Sequence, residues 1–155
     1  MPIFKSDEFL LNILPKKRVL GIDPGTKTLG IAVSNSDLTV ASPIFTIQRK
    51  KLKSDLNQLL EVLKKYDVTG IIIGWPLNMD GSIGPRCDSV RDFVKSLLEV
   101  IDIPILLQDE RMSTMAIEKP MIKADLTRKK RNSKTDQLAA CWILQTALDG
   151  LPKRM

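Results

Sequence analysis

The sequence predicts an α/β protein in which a mixed five-stranded sheet, three antiparallel strands followed by parallel ones, carries helices on both faces. Three observations lead there. Runs rich in Val, Ile and Thr at 18–23, 28–34 and 38–47 stand close together, separated by Pro-Gly and Asn-Ser-Asp turn signals. Two later runs, VTGIIIG at 68–74 and IPILLQ at 103–108, are apolar without alternation, the pattern of strands buried on both faces of a parallel sheet. The remaining segments repeat their apolar residues at helical spacing.

Taken in order, residues 1–17 form an N-terminal extension in which Phe4, Phe9, Leu10, Ile13 and Leu14 predict a short helix laid on the domain or on a partner. The three first strands, RVLGID, TLGIAVS and LTVASPIFTI, have links short enough for a meander. Leu52, Leu56, Leu59, Leu60 and Leu63 then mark an amphipathic helix, and Arg49, Lys50, Lys51 and Lys53 read as its wet opening. After VTGIIIG, the stretch WPLNMDGSIGP is a loop. Val90, Phe93, Val94, Leu97, Leu98 and Ile101 mark a second helix, and IPILLQ a buried strand ending at Asp109-Glu110. Ser113 or Thr114 can cap a third helix that Pro120 kinks or stops. Thr135 is the expected cap of a last helix, DQLAACWILQTALD, ended by Gly150 with Pro152 beyond. The domain is therefore expected over 18–150, with a tail at 151–155.

At 155 residues the chain suits one well-packed domain. Its longest apolar runs are too short to cross a bilayer, and its first residues match the order of a secretory signal poorly, so a cytoplasmic protein with no membrane partner is expected. Cys87 and Cys141 are far apart and read as packing residues. The chain has no histidine, which excludes a histidine base, a Ser-His-Asp triad and histidine-bearing zinc sites together. A formal charge of +6 and a pI near 9.4 favour an anionic partner.

The chemistry must then rest on carboxylates, lysines, hydroxyls or a metal, and the carboxylates carry the strongest pattern. In α/β folds ligands bind along the edge formed by the carboxyl ends of parallel strands. Asp23 ends the first strand, Asp109 and Glu110 end the last, and Asp136 opens the final helix, so all can converge on that edge. Such a cluster repels itself unless cations occupy it. Oxygen-only donors suit Mg²⁺ or Mn²⁺, and two such ions roughly 3.5–4 Å apart activate water and stabilise the leaving oxygen of a phosphodiester. Gly25, without a Cβ, would let a phosphate backbone approach. The plainer readings are that Asp23 is turn chemistry before Pro-Gly, that Asp109 and Glu110 are strand-end charges, and that Asp136 is a first-turn acid favoured by the helix dipole. Convergence decides between the two sets.

Residues 123–134, KADLTRKKRNSK, hold Lys123, Arg128, Lys129, Lys130, Arg131 and Lys134 against Asp125 alone. They read as a flexible basic arm gripping phosphates beside the site, with a solvated loop as the alternative. Few aromatics are available to stack single-stranded bases.

In this order and spacing, GIDPGTKTLGIAVS, GWPLNMDGSIGP, DERMST and KTDQLAACWILQ resemble the YqgF/RuvX family of bacterial RNase H-like proteins, described as candidate pre-16S rRNA nucleases and Holliday junction resolvase-like enzymes. The match runs from about Val19 to Asp149. The resemblance implies an RNase H-like fold and cleavage leaving 5′-phosphate and 3′-hydroxyl ends. It implies Asp23, one acid of the Asp109-Glu110 pair and Asp136 as the metal-binding set, with Glu110 favoured over Asp109 for its reach. Lys27, Arg86 and Arg111 match basic positions and are implied to touch phosphate, Asn78 and Gly81 to shape the loop beside the site, and Trp75 to pack. Thr28, Asn35 and Ile83 depart from the family's pattern without touching the three proposed ligands.

GIDPGTKTLGIAV also resembles the first phosphate loop of the actin, sugar-kinase and Hsp70 ATPases, but those close two such domains around ATP, and this chain lacks the second loop. A non-catalytic RNA-binding factor is the third alternative. Phosphate contacts and metal chemistry are common to RNA and DNA, so the expected partner is structured RNA or branched DNA. Junction resolution requires paired sites and hence a homodimer, whereas a processing nuclease works as a monomer.

Overall fold

The computed structural model describes residues 3–4, 8–9, 12–14, 16–25, 27–76, 84–109 and 128–151, and side chains in all of these except 3–4 and 128–136. The five expected strands are β2 (Arg18–Pro24), β3 (Thr28–Ser34), β4 (Ala41–Gln48), β5 (Val68–Trp75) and β6 (Ile105–Asp109). A two-residue strand, β1 (Ile3–Phe4), joins the edge, giving the order β1-β6-β5-β2-β3-β4. β2 runs parallel to β5, and β5 to β6, while β3 and β4 are antiparallel to their neighbours, as the short links between them require.

Among the described residues three long helices cover the sheet: α1 (Leu52–Lys65), α2 (Pro85–Leu98) and α3 (Arg128–Gly150). Leu56, Leu59, Val62 and Leu63 of α1 and Val90, Phe93, Val94 and Leu97 of α2 join Leu20, Ile22, Leu29, Ile31, Ile71, Ile73 and Ile105 in one core. On the opposite face Ala140, Ile143, Leu144, Ala147 and Leu148 of α3 pack with Val19, Ala32, Ile72 and Leu106. Successive residues of β2, β5 and β6 thus enter opposite cores, which is why these strands read as unbroken apolar runs.

Several boundaries differ from expectation for local reasons. β4 starts at Ala41 rather than 38 because the Asn35 carboxamide oxygen accepts from the Thr39 and Val40 amides, at 2.8 and 3.1 Å, holding them in a turn with Leu38 at φ 59°. The N-terminal segment is strand at Ile3–Phe4 and helical at residues 8–9 and 12, and Phe9 and Ile13 are buried in the α3 core. It is fastened by the Leu14 amide donating to Thr69 Oγ1 at 2.9 Å.

The largest correction concerns the last helix. Thr135 does not cap it: α3 begins at Arg128, so 128–134 is helix and not an extended arm. Arg and Lys are strong helix formers, no Gly or Pro falls between 128 and 149, and packing from Ala139 onward anchors a helix that then propagates backward. The expected cap at Ser113 or Thr114 and the kink at Pro120 lie outside the described residues.

Candidate active site

β2, β5 and β6 are parallel, so their carboxyl ends, Pro24, Trp75 and Asp109, lie along one edge of the sheet. Ile22 is in register with Ile73, and Ile73 with Leu107. One residue on, Asp23, Gly74 and Gln108 fall in a common row, with Asp109 one residue further. Two steps between strands separate β2 from β6, about 9.5 Å.

Faces sort these acids. Leu20 and Ile22 belong to the α1–α2 core, whereas Val19 lies in the α3 core and Gly21 lies directly beneath Leu144 and Ala140, so Asp23 follows on the α3 face. On β6, Ile105 and Leu107 pack on the α1–α2 side and Leu106 on the α3 side. Asp109 therefore falls on the α1–α2 face, as does its register partner Trp75, which packs against that core in agreement with the packing role implied for it. Asp23 and Asp109 are thus on opposite faces. Both engage neighbouring groups.

α3 crosses β2 at close quarters. A Cβ on Gly21 would stand 2.7 Å from Leu144 Cβ and 3.1 Å from the Ala140 carbonyl oxygen, so only glycine admits the helix here. Gln145, further along α3, bonds to the start of β4: its side chain accepts from the Ala41 amide and donates to the Thr39 carbonyl, both at 2.9 Å. Ala41 lies opposite Ser34, at the level where β2 begins. The helix accordingly runs antiparallel to β2, and its amino-terminal half extends toward the carboxyl end of that strand. Asp136 lies four residues before Ala140, about 6 Å along the axis toward Asp23's end. It occupies the third turn, not the first, so a first-turn dipole does not account for it.

The Asp23-Pro24-Gly25 turn is held from three sides. The Gly25 amide donates to the Asp23 and Thr28 carbonyls at 3.1 and 2.9 Å, and a Cβ on Gly25 would lie 2.8 Å from the Thr28 oxygen. The close approach that Gly25 permits is thus made by the chain itself. Arg49 Nη1 donates to the Gly25 carbonyl at 2.7 Å, its guanidinium carbon sits 5.6 Å from the centre of the Phe93 ring, and its amide donates to the Lys27 carbonyl at 2.9 Å. Arg86 Nη2 reaches the Pro24 carbonyl at 3.4 Å. Sequence reasoning placed Arg49 on a solvated helix face and missed this role; an arginine three residues before the first apolar position of α1, rather than within it, was the available signal. Lys27 is exposed beside the turn.

Glu110, Arg111, Asn78 and Gly81 lie outside the described residues, as do the side chains of Arg128, Lys129, Lys130, Arg131, Lys134 and Asp136. Among the described residues no group of three His, Cys, Asp or Glu side chains gathers to hold a metal. The structure therefore brings Asp23 and the backbone of Asp136 toward one end of one face and sets Asp109 on the other.

A family model described as RuvX, Holliday junction resolvase, matches residues 17–150. The chain belongs to the RuvX family. A Ruegeria sp. (strain TM1040) relative named "Putative pre-16S rRNA nuclease" is 46% identical over 92% of this chain and 91% of its own length. A protein of the same name from Ruegeria pomeroyi is 45% identical over 94% of both. Among solved structures, T. thermophilus RuvC in complex with a Holliday junction substrate superposes with a TM-score of 0.52 at 18% identity, covering 86% of this chain and 94% of that one. At that identity the likeness shows the fold, the expected RNase H-like mixed sheet. No helix among the described residues of this RuvX-family chain is long and apolar enough to cross a membrane.

Proposed function

We propose that this chain is a metal-dependent nuclease of the cytoplasm that hydrolyses phosphodiester bonds and processes the 5′ end of pre-16S rRNA. The observation that carries the reading is the common face of Asp23 and α3 at the carboxyl edge of the parallel strands. Family membership and relatives named for pre-16S rRNA support a nucleic-acid hydrolase.

In this reading Asp23, Glu110 and Asp136 hold the cation, and Asp109 does not. Asp109 shares the α1–α2 side with its register partner Trp75, away from the face of Asp23 and Gln108, which supports leaving the role to Glu110. The donors are all oxygens in a chain without histidine, which fits Mg²⁺ or Mn²⁺. When bound, the ion supplies an activated water and a counter-charge for the phosphate oxygens. The chain's own contribution is positional: Arg49 and Arg86 fix the carbonyls on either side of the Pro24-Gly25 bond, and that turn fixes Asp23 at the strand end.

Arg128, Lys129, Lys130, Arg131 and Lys134 occupy the first two turns of α3, where the helix dipole opposes positive charge and the sequence 128–134 itself holds no acidic residue. A polyanion bound there relieves that repulsion, and in this reading Lys27, exposed beside the Asp23 turn, and Arg111 are further phosphate contacts. Cleavage is expected to leave 5′-phosphate and 3′-hydroxyl ends. The second reading, resolution of branched DNA by a homodimer, is favoured by the description of the matching family model.

The test is cleavage of labelled precursor rRNA and of four-way DNA junctions with Mg²⁺ or Mn²⁺, by the wild type and by Asp23→Asn and Asp136→Asn. RNA cleavage lost in both variants supports the proposal, junction cleavage alone supports the second reading, and equal activity in all three proteins overturns the catalytic assignment.

A further inference from the structure

At the sheet end opposite Asp23, Lys16, Lys17, Arg18, Lys65, Tyr66 and Asp67 line an open basin of about 340 Å³. We infer that this basin is a second phosphate-binding station, which takes the backbone of the bound nucleic acid several nucleotides away from the scissile bond. The inference rests on the nuclease reading above and adds a contact remote from its chemistry.

The charge balance is the first ground. The Asp67 carboxylate is ion-paired to Lys17, and among the described residues none pairs with Lys16, Arg18 or Lys65. Lys16, Arg18 and Lys65 therefore line one concave surface with no ion-pair partner among the described residues. The second ground is that two of them are placed. The Arg18 guanidinium carbon lies 5.9 Å and Lys65 Nζ 5.5 Å from the centroid of the Tyr66 ring, so one aromatic ring gathers cations from two separate segments. The third is backbone conformation. Lys16 has φ 60° and Asp67 φ 54°, in the left-handed region that residues with side chains seldom adopt. Asp67 follows the end of α1, where such a cap is ordinary. Lys16, just before β2, shares the basin wall with Arg18 and Lys65. The plain alternative, last-turn lysines answering the α1 dipole, accounts for Lys64 and Lys65 but not for Lys16 and Arg18, which arrive from the other side.

The chemistry is that of a phosphate oxyanion: mobile ammonium donors, one guanidinium, and the hydroxyls of Tyr66 and Ser36 on the lining. A phosphodiester chain is favoured over a free phosphate because the basin is shallow and lies on the strand that carries Asp23. Five residue steps along β2, roughly 17 Å, separate Arg18 from Asp23, and Arg18 shares the face of Leu20 and Ile22 whereas Asp23 lies on the α3 face, so a bound strand passes round the domain and spans more than about five nucleotides.

The test compares Lys16→Ala/Lys65→Ala with the wild type by fluorescence anisotropy across a salt series. One RNA has flanks ending within about four nucleotides of the cut, and another carries flanks of about fifteen. Both lysines are exposed, so the fold is expected to persist, which matching thermal melts verify. Expected are severalfold weaker binding of the long RNA, a log K against log salt slope shallower by about 1.5, and unchanged binding and cleavage of the short RNA. Tyr66→Leu, which frees both gathered cations, should weaken long-RNA binding in the same direction. An unchanged slope in the double variant, with wild type binding and cutting normally, overturns this inference alone. A wild type that binds neither RNA overturns it together with the nuclease reading. If inorganic phosphate at equal ionic strength stabilises wild type but not the double variant, and flank length has no effect, the occupant is a free phosphate and the nucleic-acid assignment falls.

Discussion

Replacing Gly21 by alanine tests the contact on which the site's assembly depends. The added Cβ would lie 2.7 Å from Leu144 Cβ and 3.1 Å from the Ala140 carbonyl oxygen. Non-bonded carbons rest about 3.5–4.0 Å apart, so α3 must lift by about 1 Å. Neither neighbour can rotate away, since one is backbone and the other the first carbon of its side chain. Overpacking of this kind costs about 1–3 kcal/mol, and the rigidity of both partners puts Gly21→Ala in the upper half, offset by about 0.5–1 kcal/mol from the lower chain entropy of alanine. A net loss of about 2 kcal/mol lowers the melting temperature of a domain this size by about 4–8 °C. The same lift moves the turn carrying Asp136 relative to Asp23, and a displacement of about 1 Å can cost about a hundredfold in rate. Calorimetry or circular dichroism reads the first effect and single-turnover cleavage the second. A variant that melts with the wild type and cuts at full rate would refute the seating of α3 on β2.

Other substitutions probe separate parts of the account. Ser34 Oγ accepts from the buried Val19 amide at 2.8 Å, so Ser34→Ala leaves that amide without its acceptor and should cost about 1–3 kcal/mol in chemical denaturation, with little effect on cleavage by the folded enzyme. Arg49→Ala releases the Gly25 carbonyl and the contact with Phe93; steady-state kinetics should show kcat falling about tenfold or more while KM changes little, and Arg49→Lys should not restore it because the planar contact with the ring is lost. Asp109→Asn should retain most of the cleavage rate, whereas Glu110→Gln should abolish it, a direct comparison of the two strand-end acids in one assay.

The sheet was legible in the sequence because burial on both faces removes alternation: VTGIIIG and IPILLQ could only be parallel strands or buried helix segments, and their length and β-branching favoured strands. The meander was equally plain from Pro24-Gly25 and the Asn35-Ser36-Asp37 turn, although the Asn35 side chain shifted the start of β4 to Ala41 by taking two amides for itself. Two features were not legible. A run of Arg and Lys has no apolar period, so nothing in 128–134 distinguishes a wet arm from a helix end; the downstream packing at Ala140 and Leu144 decides it, and that packing is tertiary. Arg49 stood in a basic cluster that looked uniformly solvated, yet its neighbours Lys50 and Lys51 are exposed while it reaches back to Gly25, a contact across 24 residues of sequence. The candidate site was readable as residue types at strand ends, whereas the face on which Asp109 falls needed register, which only the paired strands supply.

The account stands on one physical claim, that acidic side chains from β2, the end of β6 and α3 share a divalent cation. Titrating Mn²⁺ into the wild type, Asp23→Asn, Asp136→Asn and Asp109→Asn by calorimetry, with electron paramagnetic resonance for the bound ion, reads that claim without any substrate. Saturable binding in the wild type and in Asp109→Asn, with loss in Asp23→Asn and in Asp136→Asn, is the predicted result; equal Mn²⁺ affinity in all four proteins would contradict it.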